Sequence, residues 1–183
     1  LIGIMSSNEY LTRVNLMDAA NPESDTPVIK GKHVAIIGGG NTAMDSVRTA
    51  RRLGAERAII VYRRSEEEMP ARIEEIKHAK EEGVEFLTLY NPIKYIGDEK
   101  GKVKQMLLQK MELGEPDASG RRSPIAIPGK TELINVDEVV VSVGVSPNPL
   151  IPNSIKGLQV SKWGTIIVNQ ETMRSDIPDL YAG

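Results

Sequence analysis

Gly38-Gly39-Gly40-Asn41-Thr42-Ala43 reads G-x-G-x-x-A. Such a string alone is common. This one follows the apolar run Lys32 to Ile37 and opens a segment in which Ala43, Val47, Ala50 and Leu53 recur at helical spacing. A glycine turn between a strand and a helix is the context in which the pattern holds a dinucleotide. The first glycine makes the tight turn, and the second lets backbone approach a pyrophosphate. The third position packs helix on strand, and the small Ala43 suits it. The N–H groups at the helix start, with the helix dipole behind them, then hold the phosphates. Gly38, Gly39, Gly40, Asn41, Thr42 and Ala43 are therefore the candidate binding residues. The competing reading is a plain structural turn.

The next strand, Ala58 to Tyr62, ends in Arg63-Arg64. A site for NAD places an acidic residue there, about 20 residues beyond the glycines, to accept from the ribose 2′-hydroxyl. Two arginines cannot accept. Their guanidinium groups suit a 2′-phosphate through charge-assisted, bidentate bonds. The expectation is NADP(H) over NAD(H), with Arg63 and Arg64 on the phosphate. The alternative is a solvated pair balanced by Glu66-Glu67-Glu68, which reads as an exposed helix start capped by Ser65 with Glu68 as its reciprocal partner.

Other chemistries recede. The 183 residues include no cysteine, which removes disulfides, thiolate zinc sites, Fe–S ligation and cysteine nucleophiles from this chain. Two histidines, His33 and His78, are too few for most histidine metal sites and read as solvated. There is no P-loop, H-E-x-x-H or G-x-S-x-G pattern. The carboxylates are scattered as surface charges, so no catalytic acid, base or nucleophile is named and no metal is expected. A net charge of −2, from 23 basic and 25 acidic side chains, speaks against nucleic acid as partner. No apolar run nears the length needed to span a membrane, and no signal peptide is evident. The expected location is cytoplasmic. The seven methionines read as core filler.

The elements that must position the glycines and arginines follow from periodicity. Residues 8–19 read as a helix capped by Ser7 or Asn8, with Leu11, Val14, Leu16 and Met17 near helical spacing. Residues 32–89 spell strand–helix–strand–helix–strand, with helices at 41–53 and 70–82 and a third strand at 84–89. That order packs as parallel strands with crossover helices. Three further strands, near 93–96, 103–113 and 125–136, read as an antiparallel meander with turns at 97–101 and 114–122. Residues 137–143 return to the parallel sheet. Residues 144–164 read as loop, and 165–168 as a strand or hairpin arm covered by Trp163. The expected fold is α/β: a Rossmann-like three-layer NAD(P)-binding domain with a parallel sheet and an antiparallel β-meander insertion.

Several further strings occur in a telling order. They are Ser7 to Asn15, Gly38 to Asp45, Tyr62 to Ala71, Gly114-Glu115-Pro116-Asp117 with Gly120-Arg121-Arg122, Gly144 with Pro147-Asn148-Pro149, and Pro178 to Gly183. Together they resemble the small (beta) subunit of NADPH-dependent glutamate synthase and related FAD/NAD(P)-dependent oxidoreductases, including the large subunit of ferredoxin:NADP transhydrogenase. The resemblance covers nearly the whole chain. It implies an FAD domain of the same polypeptide into which this NADPH domain is inserted, and an N-terminal Fe–S module. It also implies hydride transfer from NADPH to FAD, with electrons passed to Fe–S clusters and a large synthase or ferredoxin-type partner subunit. Gly144 and Val145 would lie near the nicotinamide end.

On this reading residues 1–30 form an N-terminal helix and linker, and 31–183 the NAD(P)H-binding domain excised from a longer flavoprotein. The abrupt ends at Leu1 and Gly183 suggest the same. The chain alone is expected to bind NADPH and turn nothing over. The rival readings are a non-catalytic NADP(H)-sensing module and a methyltransferase, the latter disfavoured by Arg63-Arg64 where an acid would be needed.

Overall fold

The computed structural model describes residues 1–118 and 120–183. Two compact units divide the chain, Leu1–Val143 and Gly144–Gly183.

In the first unit the elements run β1 (Ile4–Ser6), α1 (Ser7–Leu16), β2 (His33–Ile37), α2 (Asn41–Arg52), β3 (Arg57–Tyr62), a 3-10 turn (Glu66–Glu68), α3 (Ile73–Glu81), β4 (Glu85–Thr88), β5 (Tyr90–Gly97), β6 (Val103–Pro116), β7 (Arg122–Asn135) and β8 (Glu138–Val141). Five strands form a parallel sheet in the order β1-β8-β2-β3-β4, and β5-β6-β7 form an antiparallel sheet. Apolar residues run almost unbroken through β2 and β3, as a strand covered on both faces requires.

Alternation along the strands assigns those two faces. Val34, Ile36, Ala58, Ile60, Tyr62 and Val140 pack with Tyr10, Met44, Val47 and Ile76 of the three helices. Ala35, Ile37, Ile59, Val61 and Val139 pack instead with Val103, Met106, Leu108, Ile134 and Val136 of the meander and its exit. The result is three layers: helices, parallel sheet and meander. Ile37 pairs with both Val61 and Val141, so β2, β3 and β8 end level with one another. Ligands of open α/β sheets bind beyond such carboxyl ends. Among the described residues no helix is long and apolar enough to cross a membrane.

The structure departs from the sequence reading in places. Within residues 1–30, read as a helix and linker, the structure adds β1, which joins the parallel sheet beside β8. Three residues are too few to show a period, so that strand has no sequence signature. The cap of α1 is Ser6, whose Oγ accepts from the Glu9 N–H at 3.2 Å. The anchor of α1 is the buried Tyr10, while Leu16 is 81% exposed. Met17 and Met173 are also exposed, unlike the buried Met44 and Met106. The long helix begins at Ile73 because the acidic run forms its own 3-10 turn. The meander strands are longer than expected, and in the turn between β6 and β7 Ser119 lies outside the described residues.

The second unit has little regular structure. It holds the short α4 (Leu150–Ser154) and single bridges Val160–Ile166 and Arg174–Tyr181. Trp163 covers no hairpin arm: it is 74% exposed, with Lys162 Nζ 5.0 Å from its ring centre.

Glu138 opens β8 and is buried. Its Oε2 accepts from the Gly31 N–H at 2.9 Å, and its Oε1 has no partner among the described residues. Burial first, then the Asp137 charge, push this carboxyl up to about 7, against the pull of the Gly31 N–H. Burial first, then Glu138, also push the neighbouring Tyr10 hydroxyl above its ordinary value. A carboxyl raised in the folded state holds a proton that the unfolded chain releases near pH 4.5. Its contribution is therefore complete below that pH and is lost as pH rises through 7. Glu138→Gln should flatten the fall in melting temperature between pH 5 and 8 and stabilise the chain at pH 8 by on the order of 2–3 kcal/mol. Thermal denaturation across that range checks it; parallel pH curves for the two proteins would refute the assignment.

Candidate functional site

The three glycines follow β2 without a break, and each has a different environment. Gly38 has φ of +140°, and its N–H donates to the Val61 carbonyl at 3.0 Å. A Cβ on Gly38 would lie 2.3 Å from the Ser142 carbonyl oxygen just past β8. Glycine is obligatory there because two backbones touch. Gly39 lies against the Tyr62 ring and Met69, with a Cβ approach of 2.9 Å to the ring. Gly40 caps α2 with an ordinary extended backbone, φ of −90° and ψ of 176°. Its Cβ would meet only Pro70, at 4.0 Å, so the fold itself leaves the space above Gly40 open.

The helix start is equally unfilled. The Ala43 and Met44 N–H groups donate to the Gly40 carbonyl. Among the described residues, the N–H groups of Gly39, Gly40, Asn41 and Thr42 donate to no protein acceptor. Gly40 has no side chain with which to cap, and no acid stands in the first turn. Ala43 is completely buried against the sheet, the packing role its position predicts. Unpaired donors with a helix dipole behind them form a cradle for an anion. Asn41 has a further role: its Oδ1 accepts from the Arg72 N–H at 2.8 Å. With the Ala71 N–H donating to Gly39 O at 3.1 Å, this ties residues 63–72 to the glycine turn.

That connection carries the arginines, and the structure divides them. Arg63 is exposed and makes no ion pair among the described residues. Arg64 is 6% exposed. Its Nη2 pairs with Asp117 Oδ2 at 2.5 Å and its Nε donates to the Arg122 carbonyl at 2.7 Å, both at the β6–β7 turn. The expected link between Ser65 and Glu68 is present: the Glu68 carboxylate accepts from the Ser65 hydroxyl at 2.7 Å and from its N–H at 3.3 Å. Desolvation works against ionising Glu68, but the bonds from Ser65 and Arg122 hold its carboxyl below the usual range. The three acids do not stand free. Lys80 meets Glu66 at 2.5 Å, and Arg122 meets Glu68 at 2.5 Å and Glu67 at 3.4 Å.

Arg72 is a further exposed cation tied to the glycine turn that sequence reasoning did not name. Its backbone sits on Asn41, and its side chain is exposed with no ion pair among the described residues. The available signal was a third arginine within the segment Arg63 to Arg72, just after Pro70-Ala71. Gly144 and Val145 open the second unit, Gly144 at φ of +97° and Val145 80% exposed. Gly38 to Ala43, Arg63, Arg64 and Arg72 all lie in the first unit. No cluster of three or more His, Cys, Asp or Glu among the described residues could hold a metal ion.

A parallel sheet with a glycine turn and an uncapped helix start at its carboxyl edge defines a Rossmann-like α/β fold. Residues 4–183 match the model of the pyridine nucleotide-disulphide oxidoreductase family, and the chain belongs to that family. Over 157 residues it is 41% identical to the beta subunit of the NADP(+)-dependent formate dehydrogenase of Moorella thermoacetica, covering 86% of this chain and 22% of that protein. It is 37% identical to the small chain of glutamate synthase [NADPH] of Azospirillum brasilense, covering 98% of this chain and 38% of that one. The chain thus spans well under half the length of these relatives. The solved oxidoreductase FprA of Mycobacterium tuberculosis shares the fold, with a TM-score of 0.69 at 18% identity over 94% of this chain and 50% of that one.

The glycines separate into positions that the fold closes, Gly38 and Gly39, and one that it leaves open, Gly40, a difference that substitution can test. Gly38→Ala should cost about 3 kcal/mol or more of stability through strain and overlap with Ser142. Gly40→Ala should cost no more than about 1 kcal/mol, the loss of a favoured cap. It should still abolish most dinucleotide binding by filling the open space. Paired thermal melts and calorimetric titrations check both. Equal stability losses with unchanged binding would show that the turn serves only the fold.

Proposed function

We propose that this chain is the NADPH-binding domain of a flavoprotein oxidoreductase of the glutamate-synthase small-subunit type. The unfilled cradle at Gly40 and the α2 start is the observation that carries this reading. The N–H groups of Gly39, Gly40, Asn41 and Thr42 bind the pyrophosphate. Arg63 and Arg72, at the two ends of the connection, take the 2′-phosphate, while Arg64 holds that connection in place. Hydride from the reduced nicotinamide, delivered to an FAD in a domain of the longer polypeptide, is the chemistry that bound NADPH supplies. Electrons then pass to an Fe–S module and a partner subunit. This chain's own contribution is binding and orientation, since such a transfer needs the reacting atoms held about 3–3.5 Å apart.

Two facts support the choice of NADPH. The second strand ends in arginine rather than an acid, and the nearby acids Glu66, Glu67 and Glu68 are each met by a cation. Relatives whose names specify NADPH or NADP(+) point the same way.

Calorimetric titration with NADPH, NADH and FAD tests the reading. NADPH should bind far more tightly than NADH, and FAD not at all. Arg63→Ala should weaken NADPH by about 1.5–3 kcal/mol, the size of a charged hydrogen bond, and barely change NADH. Equal losses for both nucleotides would remove the 2′-phosphate role. Mixed with NADPH and a dye acceptor, the chain should reduce nothing unless a flavin is supplied; steady dye reduction without flavin would contradict the division of labour.

A further inference from the structure

We infer that the β6–β7 turn, through Asp117 and Arg122, is a positioning latch that sets the discrimination between NADPH and NADH. The inference rests on the NADPH reading above and assigns its selectivity to residues outside the glycine turn and its flanking helix.

The latch has two arms. In the first, the buried Arg64 guanidinium is held by Asp117 Oδ2 and the Arg122 carbonyl, while the Arg64 carbonyl accepts from the Leu89 N–H at 3.0 Å. Side chain and backbone of Arg64 are thus both engaged on the meander side. Its chain neighbour Arg63 stays exposed at the start of the same connection. Asp117 is itself braced within its turn, its N–H donating to the Arg121 carbonyl at 2.7 Å and its carbonyl accepting from Gly120 at 2.9 Å.

In the second arm, Arg122 reaches the 3-10 turn and meets Glu68 and Glu67. Tyr62, whose ring lies under Gly39, donates its hydroxyl to the Glu68 carbonyl at 2.9 Å. The 3-10 turn therefore stands between the glycine cradle and Arg122. Arg122 both fixes that turn and offsets one of the two charges of Glu67 and Glu68.

The charge pattern explains why this sets selectivity and not only stability. A phosphate monoester carries about −1.5 to −2 charges at neutral pH. With Arg122 and Lys80 in place, each of Glu66, Glu67 and Glu68 meets a cation and their three negative charges are reduced to a net one, while Arg63 and Arg72 remain as cations without an ion pair among the described residues. Without Arg122, two carboxylates would stand uncompensated in the connection that bears both arginines. The repulsion would fall on the nucleotide with the additional phosphate. NADH offers a neutral 2′-hydroxyl and would hardly register the change.

The test is calorimetric titration of the 183-residue chain with NADPH and with NADH, for the wild type, Asp117→Asn, Arg122→Gln and Arg122→Lys. Arg122→Gln and Asp117→Asn should each weaken NADPH by about tenfold, the loss of one charged interaction, with NADH unchanged. Arg122→Lys, which retains the charge, should recover most of the NADPH affinity. Asp117→Asn leaves a buried arginine poorly paired, so melting curves accompany it. If it unfolds, the half-exposed Arg122 decides the matter alone. A wild type that binds both nucleotides equally, or neither, overturns the NADPH reading and the latch with it. A wild type that prefers NADPH, with Arg122→Gln keeping that preference or weakening both nucleotides alike, overturns the latch and leaves the reading standing.

Discussion

The whole site hangs on the contact of two backbones, Gly38 beyond β2 and Ser142 beyond β8. Their separation is so small that one methyl group on Gly38 would fall 2.3 Å from the Ser142 carbonyl oxygen. The contact is secured on both sides, by the Gly38 N–H on Val61 O and the Ser142 N–H on Ile37 O. Ala43, completely buried, then brings α2 down onto the sheet. Because the turn is so tightly held, the next N–H groups cannot be absorbed into the strand ladder or the helix. A buried helix end without partners would be costly; an open one is an anion site.

The second constraint is electrostatic. The connection from Tyr62 to Arg72 contains three arginines and three glutamates, and local sequence would pair them with one another. The fold pairs them elsewhere. Lys80 of α3 takes Glu66, Arg122 of β7 takes Glu67 and Glu68, and Asp117 takes Arg64. Cations from both outer layers thus meet at one connection of the middle layer. A bidentate guanidinium that is already satisfied has little left for a ligand. The burial of Arg64 therefore assigns it to structure, and the exposure of Arg63 assigns it to solvent or ligand.

Among the described residues two buried side-chain atoms have no hydrogen-bond partner, Glu138 Oε1 and Ser142 Oγ. Glu138 begins a strand whose next residues, Val139 and Val140, are completely buried. Only one of its carboxylate oxygens is satisfied. A buried charge with a single donor is expensive, and that cost pushes the carboxyl up to about 7. Glu138 lies at the opposite end of β8 from Ser142, so its unpaired oxygen sits away from the glycine turn.

Much of this architecture was legible in the chain. The apolar runs of β2 and β3, the helical spacing of Ala43, Val47 and Ala50, and the G-x-G-x-x-A string are local signals, fixed by backbone geometry over a few residues. So was the bond between Ser65 and Glu68, three residues apart. What local spacing could not reveal was β1, too short for a period, or the burial of Tyr10 in place of Leu16. Nor could it rank Arg63 against Arg64, which are chemically identical neighbours. By itself the sequence carried the argument for the proposed class of ligand, since glycine spacing and the absence of a strand-end acid are properties of the chain. Tertiary structure alone decided which arginine is exposed, which acids meet a cation and which glycine faces open space. Those depend on partners more than fifty residues away, Asp117 and Arg122 against Arg64, and Ser142 against Gly38.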